Sequence, residues 1–154
     1  AVQGLDGQAH RQRKALFLSL MSQPRIDALM QWVEQYWQSH LTLWQPQASI
    51  TLLDEFHQLL CRAACAWCGI PLHQAEVPDM TNKLVLMVEG GAAMGPKHWA
   101  SRRARRQTEN ALQALVSQYR QGRHDIDPSL PLAKFADFQE ANGKVYPAIP
   151  WPSS

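Results

Sequence analysis

The chain has 154 residues, a net charge of +2 and only 18% charged residues, a balance too even to mark a nucleic-acid binder by composition. No apolar run approaches the roughly 20 residues that span a bilayer, and no basic, apolar and small-residue succession marks a signal peptide. Cys61, Cys65 and Cys68 are an odd number within one short segment, which predicts reduced thiols in a cytoplasmic protein and not a disulfide framework.

The segment Gln3 to Met21 opens the helical reading. Asp6 is a suitable N-cap, because its side-chain oxygen can accept from an unpaired N–H of the first turn. From there His10, Arg13 and Lys14 share one face, and Phe17 and Met21 continue it. Such a face offers positive charge at one end and apolar surface at the other, which suits a large flat molecule with carboxylates on one edge. Haem has that shape. The plain alternative is three basic residues on a solvated face. Ser22-Gln23-Pro24 breaks the pattern, and a second helix from Arg25 to about Leu43 sets Ile26, Leu29, Met30, Val33 and Trp37 at helical spacing. Trp44-Gln45-Pro46 ends it.

A third helix runs from about Ile50 to Trp67, with Leu53, Phe56, Leu60, Ala64 and Trp67 as its predicted buried stripe and Gly69 and Pro71 as its stop. Pro78 starts a fourth, carrying Leu84, Met87 and Val88 on a common side up to Gly90-Gly91. Gly95-Pro96 makes the turn into a fifth helix that continues through Tyr119. Helical periodicity fades near residue 121, and no sustained period-two alternation points to a sheet. The predicted fold class is all-α, with five main helices.

Three constellations carry possible chemistry. Cys61-x-x-x-Cys65-x-x-Cys68, with Trp67 before the last cysteine, has the spacing that holds an iron–sulfur cluster in radical enzymes using S-adenosylmethionine. Those thiolates sit on a loop after a strand, whereas here the spacing i, i+4, i+7 is one helix stripe, where cysteine packs as a small apolar group. Arg102, Arg103, Arg105 and Arg106 are the densest positive charge, and a basic helical nucleic-acid-binding module is the alternative they raise. The apolar stripe Leu112, Leu115, Val116 and Tyr119 makes that helix amphipathic, with the arginines on a solvated face that could concentrate anionic amphiphiles. His40, His57, His73, His98 and His124 show no metal-ligand spacing, and no phosphate loop, Ser-His-Asp arrangement or carboxylate pair stands out.

Read as a string, D-G-Q-A-H-R-Q-R-K-A-L-F-L-S-L-M resembles the C-helix region of the haem-thiolate (cytochrome P-450) superfamily. Within it, Q-G-L-D-G with A-H-x-x-R-K, then L-C-R-A-A-C-A-W-C-G-I-P-L, then G-P-K-H-W-A-S-R-R-A-R resemble the bacterial fatty-acid peroxygenase branch, in family order over about residues 1–123. The resemblance implies a mainly helical haem-thiolate fold, of which residues 1–144 would be a partial domain from the C to the G helix. Residues 145–154 do not resemble the family, and their prolines exclude a helix. A changed reading frame would explain them. The left edge, Ala1-Val2-Gln3 without an initiator Met, reads as a truncation.

The resemblance further implies haem b held by a cysteine thiolate, hydrogen peroxide as oxidant, hydroxylation of a long-chain fatty acid at its α or β carbon, and no reductase partner, nucleic acid or membrane span. His10 and Lys14 match the pair that holds the haem propionates. Gln3 matches a distal-pocket position that is glutamine in hydroxylating members and histidine in those that form terminal alkenes. Val88 and Gly91 match channel-lining positions, with Gly91 standing where an aromatic residue is common. The fourth and fifth helices match the channel roof. The family's axial cysteine and its carboxylate-binding arginine have no counterpart here, so no catalytic or metal-binding residue is assigned and the chain alone is expected to be inactive.

Overall fold

The computed structural model describes residues 8–45, 49–90 and 94–138, and its described residues form helices and connections with no strand. The helices are α1 (Gln8–Leu20), α2 (Gln23–Trp44), α3 (Leu52–Cys68), α4 (Val77–Glu89), α5 (Pro96–Arg120) and α6 (Pro131–Asp137), with a 3-10 turn at Gln74–Glu76 before α4. The all-α reading holds. The count is six and not five, because α6 has only seven residues, two turns, too few for a periodic pattern to emerge. Gln3, Asp6, Gly91 and the tail 145–154 lie outside the described residues.

The breakers act where the sequence places them. Pro24, Pro78, Pro96 and Pro131 all fall in the first turn of a helix, where a missing N–H costs nothing and the fixed φ is already helical. Gly69 ends α3 at φ 83°, and the Ile70 N–H reaches back to the Cys65 carbonyl at 2.8 Å. That left-handed cap is cheap only for glycine.

Successive helices pack on one another from α2 to α6, and α6 returns against α3. α1 is attached more lightly, through buried Leu20 and through an edge-on contact of Phe17 with Phe135 of α6 at 5.4 Å. Val116, Ile126, Leu132, Ala133 and Ala136 form one buried cluster, with Ile70 and Leu130 packed against it. Arg120 reinforces this end: its Nε donates to the Ala136 carbonyl at 2.8 Å and its Nη2 donates to the same oxygen. α4 and α5 approach closely at Gly90, where an added Cβ would be 2.4 Å from Ser101 Cβ.

The predicted stripe of α3 is rotated. Leu59, Cys61, Ala63 and Cys65 are the buried residues, while Leu53 and Leu60 are exposed. α3 is wedged between α2, α4 and α6, so small side chains permit the close approaches and the larger leucines point past them. On α2, Ile26 and Met30 are likewise exposed. The stripe of α5 is as predicted, with Val116 buried and Leu112, Leu115 and Tyr119 half-buried.

Candidate functional site

α1 carries Arg11, Arg13 and Lys14 and no acidic residue, since its sequence is QAHRQRKALFLSL. Lys14 is exposed, and His10 belongs to the same helix one turn earlier. One turn beyond Lys14, Phe17 keeps half its surface open although its ring touches Phe135, and Leu18 and Met21 beside it are exposed too. The helix thus presents a cation followed by uncovered apolar side chains, the arrangement expected from the spacing.

A second feature lies between α3 and α4. A cavity of about 400 Å³ is walled by Leu60, Ala64, Leu84, Val85 and Val88, reaching buried Cys61 and Thr81 and bordered by His57 and Glu89. Val88 lines this cavity and stands 82% exposed at its rim. Lys97 pairs with Glu89 at 2.8 Å and holds that carboxyl below its ordinary range. Lys14 is not among the residues around this cavity, so the two matched groups occupy separate elements.

The cysteines are all free and lie along α3, with Cys61 and Cys65 buried and Cys68 half-buried. A hydrogen bond from Cys65 pulls the Cys61 thiol down to about 6, against the opposing effect of burial. The Thr81 hydroxyl lowers Cys61 further, although it forms no hydrogen bond of normal geometry. Cys65 is pushed up in return by the same hydrogen bond and by burial, and burial also pushes Cys68 up. Three thiols packed into one helix do not favour the iron–sulfur reading, and among the described residues no group of three His, Cys, Asp or Glu is placed to hold a metal ion. Arg102, Arg103, Arg105 and Arg106 of α5 are exposed.

Reading the sequence missed one buried polar group. His40, 4% exposed, has its Nδ1 3.3 Å from Glu55 Oε2, and the same oxygen accepts from Trp44 Nε1 at 2.7 Å. His40 and Trp44 are one turn apart on α2, the only local signal, and Glu55 comes from the first turn of α3.

No protein-family model matches the chain. Among solved structures, cytochrome P450SP alpha (CYP152B1) in complex with (R)-ibuprophen is 31% identical and superposes with a TM-score of 0.85, over 94% of this chain and 35% of that one. Cytochrome P450EX alpha (CYP152N1) with myristic acid is 29% identical with a TM-score of 0.83, over 95% of this chain and 34% of that one. Over nearly its whole length the chain resembles part of the CYP152 cytochrome P450s and shares their fold. Ligand-free cytochrome P450 OleT, 21% identical with a TM-score of 0.85, has the same fold. The chain spans about a third of the length of these P450 structures.

The P450 family implies a haem cofactor. The exposed face of α1 fits one edge of it, because Lys14 supplies an ammonium for a carboxylate while Phe17 and Met21 leave apolar surface uncovered beside it. Among the described residues the cysteines are enclosed within α3 and are not offered to that face as an iron ligand. The first helix therefore fits the cofactor's carboxylate edge and not its iron.

Proposed function

We propose that this chain forms the haem-edge and channel-roof portion of a P450 that hydroxylates long-chain fatty acids at the α or β carbon. Hydrogen peroxide is the oxidant in this reading, and the exchange balances without a reductase: a C–H bond becomes C–OH and peroxide becomes water. The observation that carries it is the α1 face, where exposed Lys14 is followed by uncovered Phe17 and Met21. Support also comes from the ligands of the CYP152 structures, since myristic acid and (R)-ibuprophen both join a carboxylate to an apolar body.

Bound haem would supply the redox-active iron. The residues of this chain orient and enclose. Lys14 and His10 offset the propionate charges, each charge-assisted hydrogen bond contributing roughly 1.5–3 kcal/mol. Phe17 and Met21 exclude water beside them. Val88 and the apolar walls of the α3–α4 cavity accept the acyl chain, and Gly91 leaves the channel wider than an aromatic residue would. Gln3 favours hydroxylation over alkene formation.

The test uses a chimaera in which this chain replaces its counterpart in cytochrome P450SP alpha. Combining His10→Ala with Lys14→Ala should weaken haem retention on the order of a hundredfold to ten-thousandfold, read as Soret absorbance surviving gel filtration and as the midpoint of apoprotein titration. Gln3→His should shift fatty-acid products toward terminal alkene. A double variant that keeps haem and fatty-acid hydroxylation at the parental level refutes the assignment.

A further inference from the structure

The outward side of α5 is not accounted for by haem or by the α3–α4 cavity. Ser101, Ala104 and Val116 turn inward from this helix, whereas Trp99, Arg102, Arg103 and Arg106, at i, i+3, i+4 and i+7, share an exposed face. Trp99 is 68% exposed with the Arg102 guanidinium 5.8 Å from its ring centroid, and Met94, just before the helix, is 92% exposed. The only acidic residue of α5, Glu109, continues the same stripe one turn beyond Arg106 and does not stand among the arginines. Lys97, in the first turn of the same helix, is paired with Glu89.

We propose that this face docks on the surface of an anionic lipid bilayer, with Arg102, Arg103 and Arg106 on the headgroups and Trp99 and Met94 in the interfacial layer. The inference goes beyond the proposed catalysis and needs neither haem nor substrate. Two observations select the occupant. Arg102, Arg103 and Arg106 face one way over ~6 Å of helix with no acid between them, which is complementary to a negative surface. A large aromatic and a methionine stand open at the end of the same stripe, where an indole gains most at a boundary between water and hydrocarbon. A nucleic-acid duplex would use the arginines but offers no apolar layer for Trp99 and Met94. No helix of the described residues is long and apolar enough to cross a membrane, so the contact is a surface one.

The test is sedimentation of the whole chain with vesicles of phosphatidylcholine alone and with vesicles containing about a third phosphatidylserine. Binding is expected only to the anionic vesicles and should fall steeply between about 0.1 and 0.5 M salt. Combining Arg102→Gln, Arg103→Gln and Arg106→Gln should weaken it on the order of a hundredfold with helical circular dichroism unchanged, since all three are exposed. Independently, lipids brominated near the headgroup should quench tryptophan emission in the parent and less in Trp99→Phe. Equal binding to neutral vesicles, persistence in the triple variant, identical quenching in Trp99→Phe, or displacement from vesicles by duplex DNA at comparable concentration would each overturn the proposal.

Discussion

In Gly90→Ala the new Cβ would lie 2.4 Å from Ser101 Cβ, 2.9 Å from Ser101 Oγ and 3.1 Å from the Lys97 carbonyl oxygen. Carbon atoms in comfortable contact are about 3.5–4.0 Å apart, so α4 and α5 must separate by about 1 Å at their closest point. Overpacking of this kind costs about 1–3 kcal/mol. Gly90 has a right-handed backbone, φ −80°, which alanine adopts freely, and the smaller entropy of the unfolded alanine chain returns about 0.4–1 kcal/mol. The net expectation is a loss of about 1–2 kcal/mol, seen as a fall of about 2–8 °C in the melting temperature by far-ultraviolet circular dichroism. Ser101→Gly removes the obstructing atom, so the double variant should recover much of the loss, with a coupling above about 0.5 kcal/mol. A Gly90→Ala protein melting at or above the parent, or strict additivity with Ser101→Gly, would refute the steric account.

Leu59→Ala should cost about 2–5 kcal/mol because that side chain is 0% exposed, whereas Leu60→Ala, at 50% exposure, should cost far less; denaturant midpoints of the two compare them directly. Thiolate absorbance against pH should show one thiol titrating near 6, and Cys65→Ala should move it upward by removing the donor while burial remains. The sign of the pH dependence follows: Cys61 is depressed when folded, so its stabilisation is lost as pH falls from the ordinary thiol range through about 6, while raised Cys65 makes stability fall again above that range. Stability rising through pH 6–9 in the parent and flat in Cys61→Ser is the expected pattern.

The elements that were legible in the sequence are those whose signals are local. α5 has 25 residues, a proline at its start and one apolar side, so its stripe of Leu112, Leu115, Val116 and Tyr119 needed no knowledge of its neighbours. α3 was legible as a helix but not in its rotation. Leu59 and Leu60 are chemically identical and adjacent, and only contact with several other helices decides which is enclosed. The Lys14 face could be read because its residues recur at helical spacing within one element. The Glu55, His40 and Trp44 group could not, because it joins α2 to α3 across a helix-to-helix contact.

The return of α6 onto α3 has a meaning in time as well as in space. Ile70 follows α3 directly, and the atoms nearest to Gly69 belong to Leu130 and Ile126. Some 60 residues of chain separate the two sides of this contact, about 3–12 s of synthesis at ~5–20 residues per second. The α2–α3 and α4–α5 pairs, by contrast, consist of helices adjacent in the chain and can form as they emerge. During that interval the foot of α3 is the uncovered apolar surface of a nascent chain, and Ile126 and Leu130, which cover it, come just before Pro131 and α6.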